Sequence, residues 1–174
     1  MSEVNERGNV IIVDATECPI RNPSLSWLQQ VLYSGYKKMV TLKYEVAIDF
    51  ISGLPVHYSG PVAGPSADIE VFRGKLKDVM RRKGWIGLAD GSYQGEHDLL
   101  LVPLRPQHLL SPLEQLIIRF FLEKRVLIEN LYFQVKSFKA LSTRWRYHLL
   151  LHQLVFHVIL NVITIDLKYH PLRQ

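Results

Sequence analysis

Cysteine is almost absent from this 174-residue sequence: Cys18 stands alone, which excludes an intramolecular disulfide and any zinc site built from cysteines. A reducing compartment is the natural reading of that scarcity. Low-complexity tracts are missing, and the sequence is 48% hydrophobic and 21% charged, the balance of one globular domain with a sizeable core. Neither G-x-x-x-x-G-K-[ST] nor G-x-G-x-x-G occurs, so Gly91, Gly95 and the GPVAGPS stretch build no nucleotide-phosphate loop of those kinds. Residues 1–8 are polar and acidic rather than basic then apolar, so no signal peptide is expected. The most apolar stretch, 149–167, approaches membrane length. It is interrupted by His152, Gln153, His157, Asn161, Thr164 and Asp166, which predicts a core helix with one polar stripe and no membrane partner.

What is present is unevenly spread. Of the net charge of +5, residues 1–104 carry 11 basic and 12 acidic side chains, whereas residues 105–174 carry 10 basic and 4 acidic. An acidic-leaning half with isolated aspartates suits metal ions, and a basic helical half suits a polyanion. A solvated surface accounts for the charge alone equally simply.

The chain is organised around VIIVDATECPI, residues 10–20. Val10, Ile11, Ile12 and Val13 are β-branched and favour a strand buried on both faces. Asp14 is expected where that strand ends, because Thr16, Glu17 and Pro19 follow. Residues 21–38 read as irregular, and 41–51 as a strand returning through a Ser52-Gly53 turn to 54–58. Residues 67–82 have a helical stripe (Ile69, Phe72, Leu76, Val79, Met80). Strands are expected at 85–89, ending in Asp90, and at 99–104, stopped by Pro106. Ser111-Pro112-Leu113-Glu114 is a helix start with serine N-cap, proline at the first position and glutamate at the capping-box position. The helix runs to about 139, with Arg125, Glu129, Tyr132 and Lys136 on one polar edge of its apolar stripe. A last helix is expected over 144–169. The order predicts a mixed α/β layer fold. The string ENLYFQ at 129–134, also a protease recognition site used in removing purification tags, lies within the helical pattern and reads as native.

Phosphodiester cleavage with two magnesium ions needs hard oxygen ligands converging from rigid elements. Asp14 on a first strand, Asp90 on a later one and Glu129 on a following helix form such a set. Any one alone reads equally as a cap or turn ligand. The order VDATECPI, YSGYKK, HYSGPVAGPSADIEVF, LADGSYQG, LVPLRP and RVLIENLYFQVKSFKAL resembles the DDE superfamily endonuclease domain of Harbinger-like and related insertion-sequence transposases. The resemblance implies an RNase H-like sheet flanked by helices over residues 10–174, after a short tail at 1–9, with a long helical C-terminal half. It implies a catalytic triad of Asp14, Asp90 and Glu129 holding two Mg²⁺ or Mn²⁺ ions. The implied activity is nicking of DNA at a transposon end, then attack of the freed 3′-hydroxyl on target DNA. Asp68 falls where the family usually has a histidine-aspartate pair. Here Ala67 replaces the histidine, leaving Asp68 as a supporting metal ligand or a helix N-cap.

Family members normally carry an upstream helix-turn-helix region, and this sequence begins 13 residues before Asp14. The expectation is that a separate DNA-reading protein, Myb-like or helix-turn-helix, supplies that part, with a homo-oligomer possible. The alternative is a truncated or host-adopted remnant that binds DNA or a protein without catalysis. The expected compartment is the nucleus for a eukaryotic source and the cytoplasm otherwise. Arg125, Lys136, Lys139, Arg144 and Arg146, interleaved with Phe138, Trp145 and Tyr147, are candidate DNA-phosphate contacts, and Lys37, Lys38 and Lys43 are a second track. A basic helix end complementing its dipole explains the first group as well. His148 and His152 have a zinc-compatible spacing but no third ligand nearby, so core or surface histidines are expected. Cys18 reads as structural.

Overall fold

In a computed structural model, which describes residues 10–103 and 111–172, the run Val10–Val13 lies inside a six-stranded sheet. The tail at 1–9, the end of the predicted strand at Leu104 and its stop at Pro106 lie outside the described residues. Ile11, Ile12 and Val13 are buried, as β-branched residues between two helical layers should be. Strand β1 does not end at Asp14, however. It runs Val10–Pro19, because β3 (Met39–Asp49) pairs antiparallel along almost its whole length, from Ile11↔Asp49 to Pro19↔Thr41. What ends near Asp14 is the other neighbour. Strand β5 (Ile86–Leu88) pairs parallel with β1 only as far as Ile12↔Leu88. Asp14 thus sits mid-strand, just past the point where the sheet opens on one side. Pro19 is tolerated as the last strand residue.

The sheet order is β2 (Tyr33–Ser34), β3, β1, β5, β6 (Leu100–Leu101), with β4 (Pro55–Ala63) also paired to β3. The stretch expected to be irregular holds a short helix, α1 (Ser26–Leu32), as well as β2. Strand β4 extends past the expected end at 58, through Gly60 to Ala63, and takes up the first half of the GPVAGPS stretch. The predicted helix at 67–82 is two helices, α2 (Asp68–Gly74) and α3 (Leu76–Lys83), broken where Lys75 leaves helical geometry beside Gly74.

Helix α4 spans Pro112–Ser137, close to expectation, and is followed by α5 (Lys139–Ser142). Helix α6 begins later than predicted, at Leu149, and ends at Tyr169. Residues before it are used elsewhere: the Trp145 N–H donates to Pro19 O at 3.0 Å and Arg21 N–H donates to Trp145 O at 2.8 Å, extending the sheet's bonding past β1.

Helices α4 and α6 cover one face of the sheet, where Ile12, Tyr44, Val46 and Ile48 pack with Ile128, Leu131, Val135, Phe156 and Leu160. Helices α2 and α3 cover the other, around Ile11, Val13, Ala47, Phe72, Met80 and Leu100. The result is the mixed α/β sandwich anticipated from element order. Helix α6 buries Phe156, Ile159, Leu160 and Ile163, yet its opposite side exposes Leu150, Leu154, Val158, Val162 and Ile165 beside the expected polar residues. By length and composition it is also apolar enough to cross a membrane.

Candidate active site

Three segments deliver carboxylates to one cleft of about 840 Å³: Asp14 from β1, Asp90 from the turn after β5, which ends at Leu88 rather than at the expected 89, and Glu129 from α4. Asp68, Glu17, Lys37, Lys43 and Lys136 line the same cleft, with Tyr36 and Phe133 among its walls. The docking of α4 explains how residues more than a hundred positions apart meet. Tyr132 Oη donates to the backbone oxygen of Asp14 at 2.5 Å, and Lys136 Nζ donates to the backbone oxygen of Glu17. Both lie on the polar edge that holds Arg125 and Glu129. That edge is therefore the seam fixing α4 against β1, and it sets Glu129 one turn from the Tyr132 anchor.

Each acid has a distinct environment. Asp14 accepts a hydrogen bond from Ala15 N–H at 2.8 Å. Burial raises its pKa to about 6, and the Asp90 carboxylate adds to the rise, while the Ala15 bond and Arg125 oppose it. Asp90 turns one oxygen inward: Oδ1 accepts from Ser92 N–H at 2.9 Å and from Ser92 Oγ, capping a 3₁₀ turn at Gly91–Tyr93. Its Oδ2 is left facing the cleft, 3.8 Å from Arg125 Nη2. Glu129 is the most open of the three, at 58% exposure, with Oε1 3.6 Å from the same Arg125 nitrogen.

One guanidinium nitrogen within reach of both acids bounds their separation. Asp90 Oδ2 and Glu129 Oε1 can be no farther apart than the two distances together, 7.4 Å. Two ions about 3.5–4 Å apart, with oxygen bonds of about 2.1 Å, span oxygens up to about 8 Å apart. The donors are hard oxygens, as Mg²⁺ and Mn²⁺ require. Asp90 and Glu129 therefore fit a divalent pair in donor type and reach, and Asp14 fits it in donor type. Among the described residues, no three acids, histidines or cysteines are gathered closely enough to hold an ion as they stand.

The other predicted residues fall into two groups. Two candidate DNA contacts are engaged within the fold. Lys43 pairs with Asp68 Oδ1 at 2.7 Å and donates to Ser66 O at 2.6 Å, its side chain only 11% exposed. Lys136 reaches Cys18 Sγ at 3.3 Å and Leu141 O at 3.4 Å besides Glu17. Asp68 is accordingly an ion-pair partner on the first turn of α2, and it is not the cap, which is Ala67. Lys37 stands at the cleft over the Tyr36 ring, whereas Lys38, Lys139, Arg144 and Arg146 are exposed and do not line the cleft.

The two histidines are separately occupied. His152 is buried with Nδ1 2.7 Å from Tyr44 Oη, and His148 Nδ1 accepts from Leu150 N–H at the start of α6. Cys18 is buried in the α4 layer. Sequence reasoning passed over Glu45, fully buried on β3 opposite Ala15. An acid set between Tyr44 and Val46 in a predicted strand was its only signal.

A family model described as DDE superfamily endonuclease matches residues 13–164. Neither a curated protein nor a solved structure gives a significant match.

Proposed function

The chain belongs to the DDE superfamily endonucleases, and on that premise we propose that it cleaves DNA phosphodiester bonds with two Mg²⁺ or Mn²⁺ ions held by Asp14, Asp90 and Glu129. The observation that carries this reading is the convergence of the three carboxylates, from a strand, the turn after β5 and a helix, on a single cleft. Bound divalent ions supply an activated attacking oxygen and stabilise the leaving oxygen. The protein's part is placement. Ser92 fixes the Asp90 rotamer so that Oδ2 faces the cleft. The Tyr132 bond holds α4 at the height of Asp14, and the Asp14 carboxyl is a hard ligand whose burial favours pairing with a cation over solvation. Lys37 at the cleft, with Arg144 and Arg146 outside it, gives the DNA backbone cationic contacts. A separate DNA-reading partner and a homo-oligomer suit the transposase relationship.

A second reading is DNA binding without cleavage. The excess of basic side chains over residues 105–174, 10 against 4 acidic, favours it. Nicking of supercoiled plasmid separates the two. The proposed nuclease converts plasmid to the open-circular form with Mg²⁺ or Mn²⁺ and not with chelator, and Asp90→Asn lowers the rate on the order of 10³-fold. Wild-type protein that retains DNA in a salt-sensitive way but does not nick it establishes the second reading instead.

A further inference from the structure

We propose that Arg125 is a positioning residue that holds the cation place between Asp90 and Glu129 until DNA arrives, so that the metal ions load on the DNA complex rather than on the free protein. The inference rests on the metal-ion reading above and concerns its order of assembly.

The cations in and beside the cleft are not equivalent. Lys43 is fastened to Asp68 and Ser66, and Lys136 to Glu17, Cys18 and Leu141. Arg125 makes no hydrogen bond among the described residues. Its Nη2 stands 3.8 Å from Asp90 Oδ2 and 3.6 Å from Glu129 Oε1, beyond the usual 2.7–3.2 Å of an N–H···O bond. It is attracted to both acids and anchored to neither. Its side chain is 27% exposed, so it has a path outward.

A guanidinium cannot be removed from this place by deprotonation, because its pKa lies far above physiological pH. It can be removed by a better anion. Phosphate offers a paired, charge-assisted fork of hydrogen bonds that the two separate carboxylates, at these distances, do not. DNA entering the cleft therefore draws Arg125 off the acids while its own phosphate oxygens add donors. Departure of one positive charge exposes Asp90 Oδ2 and Glu129 Oε1 together.

The test is Mn²⁺ binding to the full chain, read as free Mn²⁺ by electron paramagnetic resonance, with and without a short DNA duplex and with the duplex alone as blank. Without DNA, Arg125→Gln is expected to bind Mn²⁺ on the order of tenfold more tightly than wild type, the size of one screened charge contact at this distance. Arg125→Lys, which keeps the charge, should stay near wild type. DNA should tighten binding to wild type by a similar factor and to Arg125→Gln by distinctly less. Equal Mn²⁺ affinity for wild type and Arg125→Gln without DNA overturns the proposal. Asp90→Asn and Glu129→Gln are the arms that judge the underlying reading. If they bind Mn²⁺ as wild type does in every condition, the acids are not ligands and both conclusions fall. If they weaken binding while Arg125→Gln leaves it unchanged, only the role of Arg125 fails.

Discussion

Replacing Asp14 with asparagine is expected to give a protein that is more stable than wild type and inactive in nicking. Burial raises the folded-state pKa of Asp14 from 3.8 to about 6, so ionising it costs more in the folded chain than in the unfolded one. The sign follows directly. Below pH 3.8 the carboxyl is neutral in both states and the cost is absent. It grows as pH rises through the window from 3.8 to 6 and is full above it, at about 3 kcal/mol. Asparagine keeps an oxygen for the Ala15 N–H and carries no charge. Chemical denaturation at pH 4 and pH 8 checks this. The stability gain of Asp14→Asn should be small at pH 4 and reach about 3 kcal/mol at pH 8. With a short DNA duplex present, millimolar Mg²⁺ should then raise the melting temperature of wild type and not that of the variant, because only a folded carboxylate site binds the ion. Destabilisation by Asp14→Asn at pH 8 would mean that the carboxylate is a structural acceptor rather than a strained ligand.

The second large effect lies beneath the cleft. Glu45 Oε2 accepts from Ser59 Oγ at 3.3 Å, and Oε1 has no partner among the described residues. Burial raises its pKa from 4.5 to about 8, opposed by the Ser59 bond and the nearby Tyr93 hydroxyl and aided by the Asp68 and Asp14 carboxylates. At pH 7 the folded chain therefore holds Glu45 protonated while the unfolded chain does not. The cost is absent below pH 4.5, grows as pH rises through 8, and amounts to about 3 kcal/mol at pH 7. Glu45→Gln should remove it: near-equal stability at pH 4.5, a gain of about 3 kcal/mol at pH 7, and more at pH 8.5. Urea midpoints of the two proteins across that range decide the matter. Parallel pH profiles would show that Glu45 ionises normally and that a cation reaches it.

Part of this arrangement can be read in the sequence. The β-branched run at Val10–Val13 announces the central strand, and the Ser111-Pro112 start announces α4. The spacing Arg125, Glu129, Tyr132, Lys136 already marks one helix edge. Its partner on β1 is invisible there, because the bonds from Tyr132 and Lys136 go to backbone oxygens, which have no sequence signature. The expected strand end at Asp14 rested on Thr16, Glu17 and Pro19 as breakers. Antiparallel pairing with β3 overrides them, since every position from Ile11 to Pro19 has a partner there. Lys43 read as a basic residue open to DNA. Its ion pair with Asp68 depends on packing between residues 25 positions apart, which local pattern cannot show. The outer face of α6 is a further case. Periodicity marks Leu154, Val158 and Ile165 as apolar but does not tell a covered face from an open one.

If three carboxylates share one pair of divalent ions on DNA, anomalous diffraction from crystals grown with DNA and Mn²⁺ will show two peaks about 3.5–4 Å apart. They will be bounded by Asp14, Asp90 and Glu129, with Arg125 turned from the acids to a phosphate. Mn²⁺ bound elsewhere, with Arg125 still between Asp90 and Glu129 in the DNA complex, would show that the acids hold no such pair.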